Sequence, residues 1–216
     1  MSQQPQPSQQ IGIAMCELQS NHSTCKRAEF TQTWAKYMAY ALPDCRWIPL
    51  PSLGKESMAL AQSWDLDGLV ITGTRNTDSD HQKDTSLLND FLDKQQPVFA
   101  VAQGMELLQT TAGGSLTPIP DDAPSHIEHP IRIQNDPADL GWNGIRAVTS
   151  DHNYGIPFET LHESLYPLAT TKEQWVEAVA MRHQKAAGVL WHPERETSFN
   201  LRDRALIRWV FSHPPL

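Results

Sequence analysis

The stretch that decides the fold is Pro97-Val98-Phe99-Ala100-Val101-Ala102-Gln103-Gly104-Met105-Glu106-Leu107-Leu108. The apolar run after the proline predicts a short buried strand, and the apolar spacing in the second half predicts a helix directly after it. Small residues stand at alternate positions in between, at Ala100, Ala102 and Gly104. This pattern is typical of a nucleophile elbow, a sharp strand-to-helix turn that holds one side chain at the edge of a sheet. The apex is Ala102, whose methyl group cannot act as a nucleophile.

Strands and helices alternate along the first half of the chain. Strands are predicted at residues 11–15, 46–50, 68–71 and 97–101, with helices at 29–42, 55–64 and 86–94. Further strands are predicted at 131–133, 145–149, 175–180 and 188–191, and a closing helix at 199–211. This order predicts a three-layer α/β fold with a mostly parallel, doubly wound, flavodoxin-like sheet. In such sheets, ligand sites form at the carboxyl ends of the strands.

The composition predicts one globular domain. Of the 216 residues, 39% are hydrophobic and 19% are charged, which suits a single domain over residues 11–216. Residues 1–10 are polar and rich in Gln and Pro, so they are predicted to form a disordered tail. The formal net charge is −8 and there is no basic run, so nucleic acid is not expected as a partner.

Neither membrane insertion nor secretion is indicated by the sequence. No segment approaches the roughly 20 apolar residues of a membrane span, and the N-terminus lacks the pattern of a signal peptide. Three cysteines, at positions 16, 25 and 45, are too few and too irregularly spaced for a disulfide framework. We therefore expect a cytoplasmic protein with reduced thiols and no membrane partner. The oligomeric state is not encoded in any readable pattern, and a homodimer remains open.

His192 and Glu194 follow the last predicted strand. Residues two apart at a strand end point to the same side, so the carboxylate can hold one ring nitrogen of the histidine as N–H. The other nitrogen is then free to act as a base. Taken alone, the pair is more typical of a polar surface. Next to an elbow in a doubly wound sheet, it predicts the base and the orienting carboxylate of a nucleophilic triad.

Backbone and side-chain groups at three other strand ends complete the predicted site. Gly73 and Thr74 follow the strand at 68–71, and their N–H groups could hold an oxyanion together with the N–H of Gln103. An ordinary turn between a strand and a helix would have the same composition. A polar cluster after the strand at 145–149 is predicted to line the substrate pocket, namely Asp151, His152 and Tyr154.

A metal centre is not expected. His126 and His129 are three residues apart, but no helix aligns them and no cysteine or carboxylate stands at metal-ligand spacing. They are interpreted as loop histidines that make hydrogen bonds. No cofactor motif is present either.

Two motifs carry a resemblance to a known family. The elbow resembles that of class I glutamine amidotransferases, usually G-[IV]-C-x-G-x-[QE], and Gly188-Val189-Leu190-Trp191-His192-Pro193-Glu194 is similar to their G-V-Q-W-H-P-E motif. Intervening landmarks resemble the peptidase C26 branch, the γ-glutamyl hydrolases related to γ-glutamyl-γ-aminobutyrate hydrolase: Gly113-Gly114-Ser115-Leu116, His126, His129 and Ser150-Asp151-His152. The ending at Arg195-Glu196 is more similar to γ-glutamyl-CDP-amidate hydrolase.

The resemblance implies a class I glutamine amidotransferase fold and a cysteine-dependent γ-glutamyl amide hydrolase without a cofactor, acting on a small-molecule substrate. In the family mechanism, a cysteine at position 102 attacks the γ-carbonyl carbon and forms a thioester. His192 takes the thiol proton and passes it to the leaving amine, and Glu194 orients His192. Water then releases glutamate. Thr74 stands where many members have a second glycine.

Ala102 departs from this family pattern, and three explanations are open. The first is an inactive form of the hydrolase in which alanine has been substituted for cysteine. The second is a natural pseudoenzyme that binds a γ-glutamyl ligand. The third is a glutaminase-like subunit that docks a partner synthase, to which an active form would deliver ammonia. The leaving amine or amidate cannot be read from the residues.

Overall fold

The computed structural model describes residues 9–18, 27–72, 78–119, 128–137 and 139–211. Within these residues, nine strands form one sheet in the order β4-β1-β5-β6-β13-β12-β11-β8-β9. Their bounds are β1 Gln10–Ala14, β4 Arg46–Leu50, β5 Gly68–Ile71, β6 Val98–Val101, β8 Glu128–Ile133, β9 Gly144–Thr149, β11 Leu165–Thr170, β12 Val176–Met181 and β13 Ala186–Val189. Two small antiparallel pairs join β2 Cys16–Leu18 to β3 Arg27–Glu29, and β7 Thr117–Pro118 to β10 Tyr154–Gly155.

Helices cover both faces of the sheet. They are α1 Gln32–Ala41, α2 Lys55–Ser63, α3 Asp78–Asp93, α4 Gln103–Thr111 and α5 Leu201–Phe211. On one face, α1 and α5 pack together over an apolar cluster that includes Tyr37, Phe99 and Ile207. On the other face, α2, α3 and α4 pack over a second cluster that includes Leu69 and Phe91. The predicted three-layer α/β architecture is therefore confirmed.

The strand directions divide the sheet into two halves. Strands β4, β1, β5, β6 and β13 are parallel neighbours, as predicted for the doubly wound part. Beyond β13, the pairs with β12, β11, β8 and β9 are all antiparallel. The sheet is therefore mixed, and the ends that follow β5, β6, β13 and β9 meet at one edge. That edge holds the segments in which the sequence places the site.

Several predicted bounds differ from the structure. Helix α1 begins at Gln32 instead of residue 29, because Glu29 pairs with Cys16 in a backbone ladder and Thr31 is the N-cap. Helix α3 begins at Asp78 instead of 86, because the polar first turns give no apolar period to detect. Strand β1 begins at Gln10, inside the predicted tail, and residues 1–8 lie outside the described residues.

Strand β11 was missed from the sequence. It contains Pro167, and its pairing with β12 shifts register between Pro167 and Thr170. Both features break the alternation by which a strand is recognised. In the part of the chain that the structure describes, no helix is long and apolar enough to cross a membrane.

Candidate active site

Ala102 forms the apex of a sharp turn between β6 and α4. Its backbone has φ 52° and ψ −117°, a left-handed conformation that costs a non-glycine residue about 1–3 kcal/mol. The Ala102 N–H donates to the carbonyl oxygen of Val189 at 2.8 Å, and its own carbonyl accepts from Met105 N–H at 2.9 Å. The elbow predicted from the small residues is therefore present, with its strain and its backbone anchors.

The small residue after the apex has a direct steric cause. A Cβ built on Gly104 would fall far inside contact distance of the carbonyl oxygen of Ile71, and 2.9 Å from its carbonyl carbon. Ile71 ends β5, the strand beside β6, so α4 begins in backbone contact with a neighbouring strand. Only glycine permits that approach.

His192 and Glu194 form a buried pair. The Nδ1 of His192 lies 2.9 Å from Oε1 of Glu194, and the side chains are 10% and 3% exposed. The carboxylate accepts a hydrogen bond from an Nδ1–H, which leaves Nε2 with a lone pair. Nε2 is buried and has no hydrogen-bond partner among the described residues. The contact is made across the 3₁₀ turn Pro193–Arg195 and not along a strand as predicted, because β13 ends at Val189.

The elbow and the histidine follow neighbouring strands. β6 and β13 pair in parallel with Val101 opposite Val189, so Ala102 and His192 emerge from the same edge of the sheet one and three residues later. The backbone bond from Ala102 to Val189 continues this ladder into the turn. The chain thus presents a histidine–carboxylate pair at the same edge of the sheet as the apex residue Ala102.

The polar cluster after β9 reaches this region in part. Asp151 and His192 line one recess of about 160 Å³, together with Thr149, Trp191, Arg195 and Glu196. Asp151 accepts from Arg195 at 3.4 Å. His152 is buried, with Nδ1 2.7 Å from the carbonyl oxygen of Tyr154. Tyr154 is exposed on β10 and is not part of that recess.

Only one of the three residues predicted to bind the oxyanion, Gln103, lies among the described residues. Gly73 and Thr74 lie outside the described residues. Gln103 is the first residue of α4, and the first N–H groups of a helix have no intrahelical acceptor, which suits an oxyanion contact.

Of the two histidines considered as metal ligands, His126 lies outside the described residues. His129 is buried on β8, with Nε2 3.5 Å from the carboxylate of Glu177. In the described ranges, no cluster of His, Cys, Asp and Glu is arranged to hold a metal ion.

Glu106 is a buried carboxylate close to the elbow that the sequence reasoning did not single out. It is 8% exposed in the first turn of α4, and burial raises the pKa of its carboxyl to about 7. No hydrogen-bond donor to the carboxylate is found among the described residues. Helical side chains lean toward the N-terminus, so a residue four positions after the apex lies over the elbow. The available signal was the [QE] position of the elbow motif.

Replacing Glu106 with Gln is expected to change how stability depends on pH. Because its pKa is raised, the folded chain binds this proton more tightly than the unfolded chain, so its favourable contribution is lost as pH rises from about 4.5 through 7. The free energy of unfolding of the variant should exceed that of the parent by a margin that grows about 3 kcal/mol between pH 4.5 and 8. Urea titrations at several pH values measure it. The same substitution at exposed Glu159 controls for the lost charge; a margin independent of pH would contradict the expectation.

Arg146 is a second residue that was missed. It points inward from β9, where Ile145 and Ala147 are exposed, and its side chain is 6% exposed. The guanidinium donates to both carboxylate oxygens of Asp203 at 2.7 and 3.1 Å, and to Glu196 at 2.7 Å. The alternation of β9 was the available signal, since it turns this charged residue toward the core.

The family can be decided by comparison with known proteins. The sequence profile of the peptidase C26 family matches residues 10–194, which is most of the chain. The chain belongs to the peptidase C26 family. One relative in this family, γ-glutamyl-γ-aminobutyrate hydrolase PuuD of Escherichia coli K12, is 26% identical in an alignment that covers 93% of this chain and 90% of PuuD. The protein of the same name from Escherichia coli O157:H7 matches equally.

Solved structures agree on the fold of this C26 chain. The glutaminase domain of Trypanosoma brucei CTPS, with bound acivicin, superposes with a TM-score of 0.69 at 15% identity and 94% coverage of each chain. A glutamine amidotransferase from Thermotoga maritima gives a TM-score of 0.68 at 11% identity, covering 94% of this chain and 99% of the other. The predicted class I glutamine amidotransferase fold is therefore confirmed.

Proposed function

We propose that this chain carries the binding site of a γ-glutamyl amide hydrolase and, with alanine at position 102, holds its ligand without cleaving it. The single observation that carries this proposal is the pair His192–Glu194, whose buried Nε2 has no partner among the described residues. It stands beside an elbow that keeps its strained backbone around Ala102. A general base and its orienting carboxylate are thus kept beside a position that lacks a nucleophile.

If position 102 carried a thiol, these residues could hydrolyse a γ-glutamyl amide through a thioester. His192 Nε2 would accept the thiol proton, and the thiolate would attack the γ-carbonyl carbon. Collapse of the tetrahedral intermediate breaks the C–N bond, and the imidazolium returns the proton to the leaving amine. Water, deprotonated by the same ring, then cleaves the thioester to give glutamate and the free thiol. Glu194 holds the required tautomer throughout.

Two further groups would bind the ligand. The N–H of Gln103 would donate to the developing oxyanion, with Gly73 and Thr74 as the predicted second donor. Glu106 would receive the α-ammonium group of the γ-glutamyl part, because its buried carboxylate lacks a donor and its raised pKa reports an environment without a compensating charge. Asp151, His152 and Tyr154 are proposed to border the site on the side of the leaving group.

Calorimetric titration of the unaltered chain tests this function. L-glutamine and γ-glutamyl-γ-aminobutyrate are expected to bind with dissociation constants of about 1 µM to 1 mM, the range of typical substrate affinities. The α-glutamyl isomer of the second ligand is a matched control and should bind at least 10-fold more weakly. Glu106→Gln should weaken binding about 10-fold, because a charge-assisted hydrogen bond is lost. If no γ-glutamyl ligand binds more tightly than its α-isomer, the proposal fails.

The other expectations remain proposals of the same kind. A natural pseudoenzyme that senses a γ-glutamyl compound would show the same binding, and it differs in that Ala102→Cys would not restore hydrolysis. A partner synthase, a homodimer and a cytoplasmic location are also proposed from the sequence. Size-exclusion chromatography with light scattering checks the homodimer directly.

A further inference from the structure

Arg146 joins three separate elements behind the His192–Glu194 pair. It lies on β9, its two bonds to Asp203 reach α5, and its bond to Glu196 reaches the segment that follows the 3₁₀ turn. The forked contact to Asp203 fixes the plane of the guanidinium, since two parallel N–H···O bonds allow only one orientation. The third bond then holds the side-chain carboxylate of Glu196, two residues after Glu194.

The same guanidinium also lies against the residue before His192. Its central carbon is 5.2 Å from the ring centroid of Trp191, and that ring stacks on Trp142 at 6.2 Å. The indole N–H of Trp142 donates to the carbonyl of Arg202 on α5 at 2.8 Å. One side chain therefore touches the catalytic segment on both sides, at Trp191 and at Glu196.

The charges of this cluster make the arrangement costly. Two carboxylates share one guanidinium, and Asp203 is fully buried while Glu196 is half-buried. Burial raises the pKa of Asp203 although Arg146 lowers it, and burial together with Asp203 raises the pKa of Glu196 to about 7. A buried ion cluster of this type contributes little to stability compared with apolar residues. Its geometric role is thus the stronger reason for its presence.

We propose that Arg146 is a positioning residue that fixes the orientation of the His192–Glu194 pair toward position 102. It does not touch the ligand or the reacting atoms. It acts by holding Trp191 and Glu196, the residues that flank His192 and Glu194 in the sequence. This inference rests on the proposed function only for its kinetic test, and the geometric claim stands apart from it.

The kinetic test uses Ala102→Cys as the background, because that change supplies the missing thiol. Arg146→Lys keeps the charge but loses the fork, and is expected to lower kcat about 10- to 100-fold with KM within about twofold. The triple variant Arg146→Met, Glu196→Gln, Asp203→Asn removes the three charges together, so it leaves no unpaired buried charge to prevent folding. It should show the same loss of kcat. Arg208→Met, an exposed arginine on α5, is the matched control and should leave kcat unchanged.

A second readout needs no catalysis. In the unaltered Ala102 chain, the Nδ1 proton of His192 should give a downfield nuclear magnetic resonance signal, because it is hydrogen-bonded to Glu194. That signal should broaden or vanish in both Arg146 variants and persist in Arg208→Met. A rise in KM with kcat unchanged, or an unchanged His192 signal in a folded triple variant, would overturn the proposal. If no background releases glutamate, the proposed function fails, while the resonance comparison still decides the role of Arg146.

Discussion

Replacing Ala102 with cysteine is expected to give a chain that releases glutamate from γ-glutamyl amides, while the parent releases none. The Cβ of Ala102 already stands at the apex of the elbow, and its φ of 52° is already imposed by the frame. The substitution adds one sulfur atom and asks for no new backbone conformation. The unpartnered Nε2 of His192 is the base that this thiol requires. Enzymatic measurement of released glutamate over a panel of γ-glutamyl amides checks the result.

The size of the effect follows from the role of a nucleophile. Removing the attacking residue of a triad lowers kcat on the order of 10⁴- to 10⁶-fold, so restoring it should raise release by at least 10⁴-fold. Ala102→Ser adds a group of similar size with a far less acidic proton, and should remain at least 10²-fold slower. Combining Ala102→Cys with His192→Gln should abolish the gain. Equal release by the parent and the cysteine variant would contradict the mechanism.

Replacing Gly104 with alanine is expected to destabilise the chain by about 3 kcal/mol or more. Alanine is favoured over glycine in a helix by about 1 kcal/mol, so propensity alone predicts a gain. The added Cβ would, however, overlap the carbonyl of Ile71, which is backbone at the end of a fully buried strand. Neither α4 nor β5 can move without opening the elbow. Thermal unfolding should show a melting temperature lower by about 10 °C for a chain of this size.

Gly12→Ala provides the matched control for this clash. The same atom is added in β1, but its nearest neighbour is the end of the flexible Leu66 side chain at 2.8 Å. That side chain can rotate away, so the cost should stay near 1 kcal/mol. A Gly104→Ala variant as stable as Gly12→Ala would show that the approach of α4 to Ile71 is not rigid.

The elbow and the parallel half of the sheet could be predicted because each leaves a short-range signal. Buried parallel strands appear as continuous apolar runs, and the elbow restricts residue size at fixed offsets from Ala102. His192 and Glu194 are two residues apart in sequence, so their contact could be predicted without knowledge of the fold. The helix start at Asp78 and strand β11 left no such signal, since the one has polar first turns and the other contains Pro167.

The residues missed in the site depend on contacts between distant segments. Arg146 and Asp203 are 57 positions apart, and nothing in either neighbourhood indicates that they meet. Glu106 resembles an ordinary polar residue in the first turn of a helix. Only its match to the last position of the elbow motif marks it in the sequence, and its burial is visible only in the structure. The spacing of apolar residues along a sequence indicates which face of a helix or strand a residue occupies. It does not report which residue lies opposite.

Strand β13 pairs in parallel with β6 and antiparallel with β12, so the connections on the two sides of His192 are of different types. On the β6 side, the chain leaves each strand end through a long crossover that can lengthen or change without moving the strands it joins. On the β12 side, the chain turns back from β11 within residues 171–175, and a tight hairpin fixes the register of both its strands. Relatives that diverge toward new leaving groups are therefore expected to keep the turn at residues 171–175 nearly constant in length and to accumulate their insertions in the longer connections, including the one between β9 and β11.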